Sequence, residues 1–420
     1  MKKNIAMLSL SIFLFSLANG VQAASVLTEK GYALDKIFIF SRHNVRTRIG
    51  NADKVIAEYT ARKWEAYPEI SGHLTPHGSA AETLMGAYYR QYLEDEGFIP
   101  KDWHPDEDEI RFYANSYQRT IATARSFACG LTPVTDVKIE YYFDIDKKDP
   151  VFHPSTEIKD EEQFKKAAAW YDEMEEGHGQ KAFFTKVGKN LRSLEKIVAF
   201  KNSPFARDHK RKTIDEGQFA IIPNKGKIAG NKESFNSFLI ADAFIVRYYH
   251  TADDKKATWN TANSQVLMLG AGKYLTSCTD ILLDNPAYSK NFIRNLVPEI
   301  TKELKNDAHK FSFFCGHDTN VGALTSVLNV VPFELPATIT PHTPIGGKLV
   351  VEKRKGIDNK YYASLNMVYA SDKELRNLET LSLKNPPMKY PLVIKNLKSN
   401  DDGLYDWDEF VAHFENSVKP

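Results

Sequence analysis

Cysteine is scarce in this chain of 420 residues, and neither sign of charge is in excess. The three cysteines Cys129, Cys278 and Cys315 allow at most one disulfide. Because a core of this size needs no covalent cross-links, we expect buried, mostly unpaired thiols. The formal net charge is only +1. A general nucleic-acid or anionic-membrane binder is therefore not expected, since such binding requires a large basic excess.

The sequence has one short hydrophobic run, at its N-terminus, and no long one after it. Lys2 and Lys3 precede an apolar run over 5–17, and small residues end the segment at Ala23. This pattern predicts a signal peptide over 1–23, cleaved after Ala23, and an exported protein whose simplest location is a bacterial periplasm. The alternative is an uncleaved membrane anchor.

Motifs for metal or thiol chemistry are also missing. The tail 398–409 resembles a calcium loop, but Lys398 occupies the first ligand position, so a plain turn before a helix is favoured. A cysteine-phosphatase site at Cys315 would need Arg six positions later, where Val321 stands. Neither a metal nor a cofactor is predicted. The remaining histidines are expected to be packing or rim residues: His73, His77, His153 and His342.

The pattern of hydrophobic residues predicts an α/β fold. Strand-like segments rich in β-branched and aromatic residues lie at 36–40, 110–113, 137–143 and 310–315. Helical segments follow at 79–93, 119–127 and 320–328. This alternation favours a mixed, mostly parallel sheet flanked by helices. Segments 348–355 and 360–369 on either side of Gly356 predict an antiparallel hairpin.

The middle of the chain has little strand character. Helices are predicted at 156–176, with Ser155 as N-cap, and at 181–200 and 234–249. We therefore expect an α/β catalytic core formed by 24–145 and 245–420. A helical cap at 146–244 would shape a substrate pocket.

A basic cluster directly follows the first predicted strand. Arg42, His43, Arg46 and Arg48 lie at the carboxyl end of the strand, the edge where ligands bind in open α/β sheets. Arginine forks match phosphate oxygens, and the surrounding positive charge would keep His43 neutral and nucleophilic. A solvated basic loop is the alternative.

Two further segments add to this cluster. The strand at 311–315 ends in Gly316, His317 and Asp318, and Gly316 would permit a sharp turn there. Asp318 could donate a proton to a leaving alkoxide, or simply cap the following helix. Arg119 comes just after the second strand, where it could bind phosphate or lie on the helix surface.

Together these motifs resemble the histidine acid phosphatases, in the branch with a large helical cap, and most closely the periplasmic glucose-1-phosphatase type. The family pattern R-H-G-x-R-x-P near the start corresponds to 42–48, and the H-D pair near the end corresponds to His317 and Asp318. The resemblance covers nearly all of the chain after Ala23. Two positions depart from it, because Asn44 replaces the family Gly and Arg48 replaces the Pro. We expect Arg48 to point to solvent rather than to favour more anionic substrates.

The resemblance implies a mechanism for hydrolysis of small phosphate monoesters, such as glucose 1-phosphate, at acidic pH. His43 would attack phosphorus and form a phosphohistidine, and Asp318 would protonate the leaving oxygen and then activate water. No metal would be needed. The groups that would bind the phosphoryl oxygens are Arg42, Arg46, Arg119 and His317.

Two alternatives remain at this stage. A phytase acting on inositol hexakisphosphate would need extra cations, which the helical section could supply from Lys210, Arg211, Lys212 and Lys225. An acidic gate near Asp215 and Glu216 would repel such substrates. A non-catalytic phosphate-ester binding protein is the other alternative, against which the intact His43 and Asp318 argue. The sequence leaves the oligomeric state open.

Overall fold

The computed structural model describes residues 26–64, 70–214 and 220–419. The predicted signal peptide at 1–23 lies outside the described residues, as do Asp215 and Glu216 of the predicted gate. The signal peptide and the gate therefore remain predictions.

Ten strands and fifteen α-helices make up the described part of the chain. The strands are β1 Ala33–Arg42, β2 Ile110–Ala114, β3 Ile139–Glu140, β4 Ile221–Asn224, β5 Lys227–Gly230, β6 Phe311–Gly316, β7 Lys348–Lys355, β8 Tyr361–Tyr369, β9 Met388–Pro391 and β10 Tyr405–Asp406. The helices are α1 Val26–Glu29, α2 Ala52–Tyr59, α3 Pro76–Asp95, α4 Gln118–Leu131, α5 Glu161–Glu173, α6 Gly179–Val198, α7 Pro204–Asp208, α8 Lys232–Tyr249, α9 Asp254–Ala257, α10 Ser264–Leu283, α11 Pro286–Phe292, α12 Leu296–Leu304, α13 Asp318–Val327, α14 Asp372–Asn377 and α15 Trp407–Asn416.

Eight of the strands form one mixed sheet in the order β10-β8-β7-β1-β6-β2-β3, with β9 beside β8. β1, β6, β2 and β3 run parallel to one another, and β7 pairs antiparallel with β1. β7 and β8 form the predicted antiparallel hairpin. The predicted mixed α/β sheet flanked by helices is thus confirmed.

The central strand β1 is buried on both faces, which explains its uninterrupted hydrophobic sequence. Ile37 and Ile39 pack into the cluster that contains the α3 and α4 side chains. Phe38 and Phe40 point to the other face, into the cluster formed with α11 to α13 and α15. Alternate residues of one strand therefore anchor helices on opposite faces of the sheet. This anchoring fixes the position of the residues that follow β1.

The segment between β3 and β6 contains helices α5 to α12, of which α5, α6 and α8 correspond to the three helices predicted there. A third hydrophobic cluster joins α6, α8 and α10 to α2. Among the described residues only α10 is long and apolar enough to cross a membrane, but half of its most apolar window is buried inside the protein. The predicted boundaries of the cap, 146–244, remain a prediction.

Several local predictions in this segment were wrong. The short hairpin of β4 and β5 was not predicted. Helix α5 begins at Glu161, where the Asp160 carboxylate accepts a hydrogen bond from the Gln163 backbone N–H. Ser155 lies six residues before this helix and cannot cap it. β3 covers only Ile139–Glu140 rather than 137–143.

The cysteines are all unpaired, as expected, but they are not all buried. Cys315 is buried, Cys278 is partly buried and Cys129 is exposed. Burial raises the pKa of Cys278 to about 12 and that of Cys315 well above its usual value. Neither of these two thiols is therefore activated as a nucleophile.

Candidate active site

Adjacent parallel strands bring the two sequence motifs to the same edge of the sheet. Arg42, the last residue of β1, is the register partner of Gly316, the last residue of β6. The His43 backbone N–H then donates to the Gly316 carbonyl over 3.0 Å. The rings of His43 and His317 consequently lie 5.4 Å apart between centroids. The two stretches of chain meet as the sequence predicted.

Gly316 is required at this position for its small size rather than for a turn. A Cβ atom built there would lie 2.7 Å from Asn320 Oδ1 and 2.8 Å from the Phe40 ring. Its φ angle is not in the left-handed region. The predicted role in a sharp turn was therefore wrong, and close packing against β1 and α13 is the physical reason for glycine.

The His43 ring is held in one tautomer. Its Nδ1 lies 2.8 Å from the carbonyl oxygen of Asn44. Because a carbonyl can only accept, Nδ1 carries the proton and Nε2 keeps its lone pair. Burial, followed by the charges of Arg119, Arg46 and Arg42, holds the pKa of His43 well below its usual range. A neutral imidazole with a free Nε2 is the form that can act as a nucleophile.

Arg42 and Asp318 form an ion pair across this edge. Arg42 Nη2 lies 3.0 Å from Asp318 Oδ2, and Arg42 Nη1 donates to the Thr343 carbonyl. The Asp318 side chain, at the first position of α13, is 28% exposed. Burial alone would raise the pKa of Asp318, but Arg42 and then Arg46 hold it below its usual value. Without substrate, Asp318 is therefore ionised at mildly acidic pH.

Arg46 is bound by a carboxylate that the sequence analysis gave no role. Its Nη2 and Nη1 lie 2.7 and 3.0 Å from the two carboxylate oxygens of Asp242, which belongs to α8. Both side chains are more than nine-tenths buried. This bidentate pair orients the Arg46 guanidinium and connects the helical segment to the loop after β1.

Arg119 extends from the first turn of α4 toward His317. Its Nη2 lies 3.2 Å from His317 Nδ1, and its guanidinium lies over the Tyr117 ring at 4.4 Å from the centroid. Burial, and then Arg46, lowers the pKa of Arg119 to about 10, which leaves it charged at neutral and acidic pH. Within the described part of the chain, the buried Nε atoms of Arg119 and Arg42 have no hydrogen-bond partner. These two N–H groups are left without a protein acceptor in the described structure.

His317 is also held by Asn115, which the sequence analysis missed. The Asn115 Nδ2 lies 2.7 Å from His317 Nε2 and 2.8 Å from His153 Nδ1. The first polar residue after β2 is Asn115, so the rule that located His43 and His317 would have found it. Arg119 can only donate, so the neutral His317 ring accepts at Nδ1 and carries its proton on Nε2, the nitrogen that faces the Asn115 side-chain amide.

His153 packs as predicted, but against a residue of the site. Its ring centroid lies 4.6 Å from that of His317. Burial, followed by the charge of Arg119, lowers its pKa to about 4. His153 therefore stays neutral and adds no positive charge beside His317 at mildly acidic pH.

Arg48 does not point to solvent, so that prediction was wrong. Its side chain is only 8% exposed and forms an ion pair with Asp53 in the first turn of α2. The guanidinium also lies 5.9 Å from the Trp64 ring centroid. Arg48 therefore stabilises the start of α2 and packs against Trp64.

The site thus combines three arginines, a neutral imidazole with a free nitrogen, and a carboxylate on the same rim. Comparison with known proteins agrees with this combination. The sequence signature of the histidine phosphatase superfamily (branch 2) matches residues 27–217. The chain is 30% identical to the glucose-1-phosphatase of Salmonella typhimurium, over 94% of both chains. The chain belongs to branch 2 of the histidine phosphatase superfamily.

Two more relatives support this assignment. The glucose-1-phosphatase of Providencia rettgeri is also 30% identical, over 98% of both chains. The solved apo form of Hafnia alvei phytase superposes with a TM-score of 0.82 and 25% identity, covering 93% of this chain and 98% of that one. The predicted family is confirmed, and this histidine phosphatase is a phosphomonoesterase.

Proposed function

We propose that this histidine phosphatase hydrolyses small phosphate monoesters, such as glucose 1-phosphate, through a phosphohistidine on His43. The observation that carries the proposal is the hydrogen bond from His43 Nδ1 to the Asn44 carbonyl within a cluster of guanidinium groups. It leaves Nε2 unprotonated where an anionic ester would be attracted. The names of the two relatives that are 30% identical support glucose 1-phosphate as the substrate.

In the first step, the ester's phosphoryl group binds among Arg42, Arg46 and Arg119. Their N–H groups contact the non-bridging oxygens and offset the charge that develops during transfer. The Nε2 lone pair of His43 forms a bond to phosphorus while the bond to the ester oxygen breaks. The leaving oxygen takes a proton from Asp318 and departs as an alcohol.

Asp318 must first acquire that proton, because it is ionised in the free enzyme. At acidic pH a phosphate monoester carries one proton of its own, since its second pKa is about 6. When the ester enters, its negative charge offsets the arginines that hold the pKa of Asp318 down. The pKa of Asp318 then rises, and the carboxylate takes up the proton that the substrate brings.

In the second step, water attacks the phosphohistidine. The Asp318 carboxylate, deprotonated by the first step, accepts a proton from this water as its oxygen bonds to phosphorus. The bond between phosphorus and His43 Nε2 breaks, which restores the neutral imidazole and releases phosphate. Since the guanidinium groups supply the positive charge, we expect turnover to continue when metal ions are chelated.

The test is to trap the intermediate with a chromogenic phosphate ester labelled in its phosphoryl group. Quenching with alkali, in which phosphohistidine is stable, followed by peptide mapping, should place the label on His43. His43→Ala should abolish both label and turnover. Turnover of His43→Ala close to that of the unmodified protein would refute the mechanism.

A phytase activity is the second candidate, supported by the similarity to Hafnia alvei phytase. The cations that could serve it, Lys210, Lys212 and Lys225, are exposed, and Arg211 is partly buried with its Nη2 on the Ile214 carbonyl. Parallel measurement of kcat/KM for glucose 1-phosphate and inositol hexakisphosphate separates the candidates. A higher value for the inositol ester would favour the phytase.

We further propose that the protein works in the periplasm after removal of residues 1–23. The basic start, short apolar run and small residues before the cleavage position support this location. Cell fractionation together with N-terminal sequencing of the mature protein tests it. A mature chain that begins at Ala24 in the periplasmic fraction is the expected result. No nucleic-acid or membrane partner is proposed for the mature chain.

A further inference from the structure

A buried ion pair lies beneath the loop that carries His43. Lys348 Nζ, at the start of β7, lies 2.7 Å from Glu82 Oε1 of α3, and neither side chain is exposed. The ammonium group also lies within 6 Å of the Phe127 and Phe313 ring centroids. Such a pair stays favourable only when its remaining hydrogen bonds are also satisfied. The groups that satisfy them here are Asn44 of that loop, the Gly346 carbonyl before β7, and the Ser41 hydroxyl of β1, which accepts from Lys348 Nζ over 3.2 Å.

Glu82 is connected to His43 through Asn44. The second carboxylate oxygen, Oε2, accepts a hydrogen bond from Asn44 Nδ2 over 2.8 Å. The Asn44 side-chain oxygen accepts from the Val45 N–H over 2.8 Å, which fixes the amide orientation. The Asn44 carbonyl is the acceptor that holds the His43 Nδ1 proton. The side chain at position 44 thus joins the ion pair to the imidazole.

Lys348 is connected to the same loop through Gly346, which lies just before β7. Its Nζ donates to the Gly346 carbonyl over 2.9 Å, and the Gly346 N–H donates to the His43 carbonyl over 3.2 Å. Gly346 has a φ angle of +68°, and a Cβ atom there would lie 2.6 Å from Asn44 Nδ2. Glycine is therefore required for this approach. Glu82 thus holds Asn44, which follows His43, and Lys348 holds Gly346, which hydrogen-bonds to the His43 carbonyl.

We propose that Glu82 and Lys348 are positioning residues for phosphoryl transfer. They hold Asn44 and Gly346 so that the Asn44 carbonyl keeps the proton on His43 Nδ1 and leaves Nε2 free. Neither residue contacts the phosphoryl group. The inference rests on the proposed function, because it takes His43 as the nucleophile. Displacement of a reacting group by about 1 Å can cost on the order of 10²-fold in rate, so loosening this loop should lower kcat.

Two double variants separate positioning from folding. Glu82→Leu with Lys348→Met, and Glu82→Gln with Lys348→Met, both remove the pair without leaving a lone buried charge. Only the glutamine keeps an oxygen for Asn44. We expect the leucine variant to lose about 10–100-fold in kcat with little change in KM, and the glutamine variant to regain about tenfold of that loss.

A matched control is available at the opposite end of β1. Arg354 and Glu96 form another fully buried ion pair, 2.8 Å apart, and Arg354 is the register partner of Leu34. Glu96→Leu with Arg354→Met should lower the melting temperature but leave kcat unchanged. If the leucine variant at Glu82 does not fold, Glu82→Asp retains the charge balance and shortens the reach to Asn44, so a fall in kcat is again expected.

A spectroscopic measurement tests the link to His43 directly. In ¹⁵N NMR, the intact protein should show the His43 proton on Nδ1, and the leucine variant should show a mixture of tautomers. Unchanged kcat and tautomer in the leucine and aspartate variants would overturn the inference, as would equal losses in the leucine and glutamine variants. If either of these results is obtained and the unmodified protein still forms phosphohistidine at residue 43, the proposed function stands and only the positioning role fails.

Discussion

Arg42 Nη2 lies 3.0 Å from Asp318 Oδ2, so an expected phosphate-binding group and the expected proton donor form an ion pair before substrate arrives. The pair connects the end of β1 to the first turn of α13. It keeps Asp318 ionised and lets the charge of an incoming ester control when the carboxylate takes up a proton. Protonation of the acid would then be coupled to substrate binding.

The role of Asp318 can be tested through the leaving group. Asp318→Asn removes the proton donor, and general acid catalysis typically contributes about 10²–10⁴-fold. We expect kcat to fall by that order for glucose 1-phosphate, whose alkoxide is a poor leaving group. The loss should be much smaller for p-nitrophenyl phosphate, which needs little protonation. Steady-state kinetics with both esters measures the difference, and equal losses would contradict the assigned role.

The pH dependence should reflect the low pKa of His43. His43 attacks only when neutral, and burial together with Arg119, Arg46 and Arg42 lowers its pKa from the ordinary 6.5. Because the folded protein binds this proton more weakly, the acidic limb of kcat/KM should lie below pH 6.5. Arg119→Met removes one of these charges, so the limb should move to higher pH. Arg48→Met serves as the control, and a limb that stays in place in Arg119→Met would refute this explanation.

Breaking the Arg46–Asp242 pair should destabilise the folded protein. Asp242→Asn leaves a buried guanidinium without its counter-charge, a change that typically costs about 3–5 kcal/mol in the free energy of unfolding. Inorganic phosphate should restore more stability in this variant than in the unmodified protein, because it supplies the missing negative charge. Urea unfolding with and without phosphate measures both effects. Glu161→Gln, which breaks the exposed pair with Lys165, should change neither the free energy of unfolding nor the stabilisation by phosphate.

Arg48 should not affect substrate choice. Since it pairs with Asp53 and lies near Trp64, Arg48→Met should lower the melting temperature. The ratio of kcat/KM for glucose 1-phosphate to that for inositol hexakisphosphate should stay as it is in the unmodified protein. A selective loss of activity toward the inositol ester would show instead that Arg48 contributes to binding highly charged substrates.

Much of this architecture was predictable because strand direction and hydrophobic period are local properties. The segments at 36–40 and 310–315 alternate between the two faces of the sheet, and both are followed by polar residues. For parallel neighbours, this pattern places His43 and His317 at the same edge. The residues that position these groups were harder to find. Asn115 follows the same rule but was overlooked, and Asp242 contacts Arg46 across 196 positions of the chain.

The sequence alone identified the two polar motifs that follow two buried strands, and the family to which the chain belongs. Only the tertiary structure decided that Arg48 turns to Asp53, that Asp242 holds Arg46, and that the Asn44 carbonyl sets the proton on His43. The physical reason is that side-chain partners depend on how distant helices pack against the sheet. A carboxylate on α8 and a guanidinium after β1 carry no mark in the sequence of the distance that finally separates them.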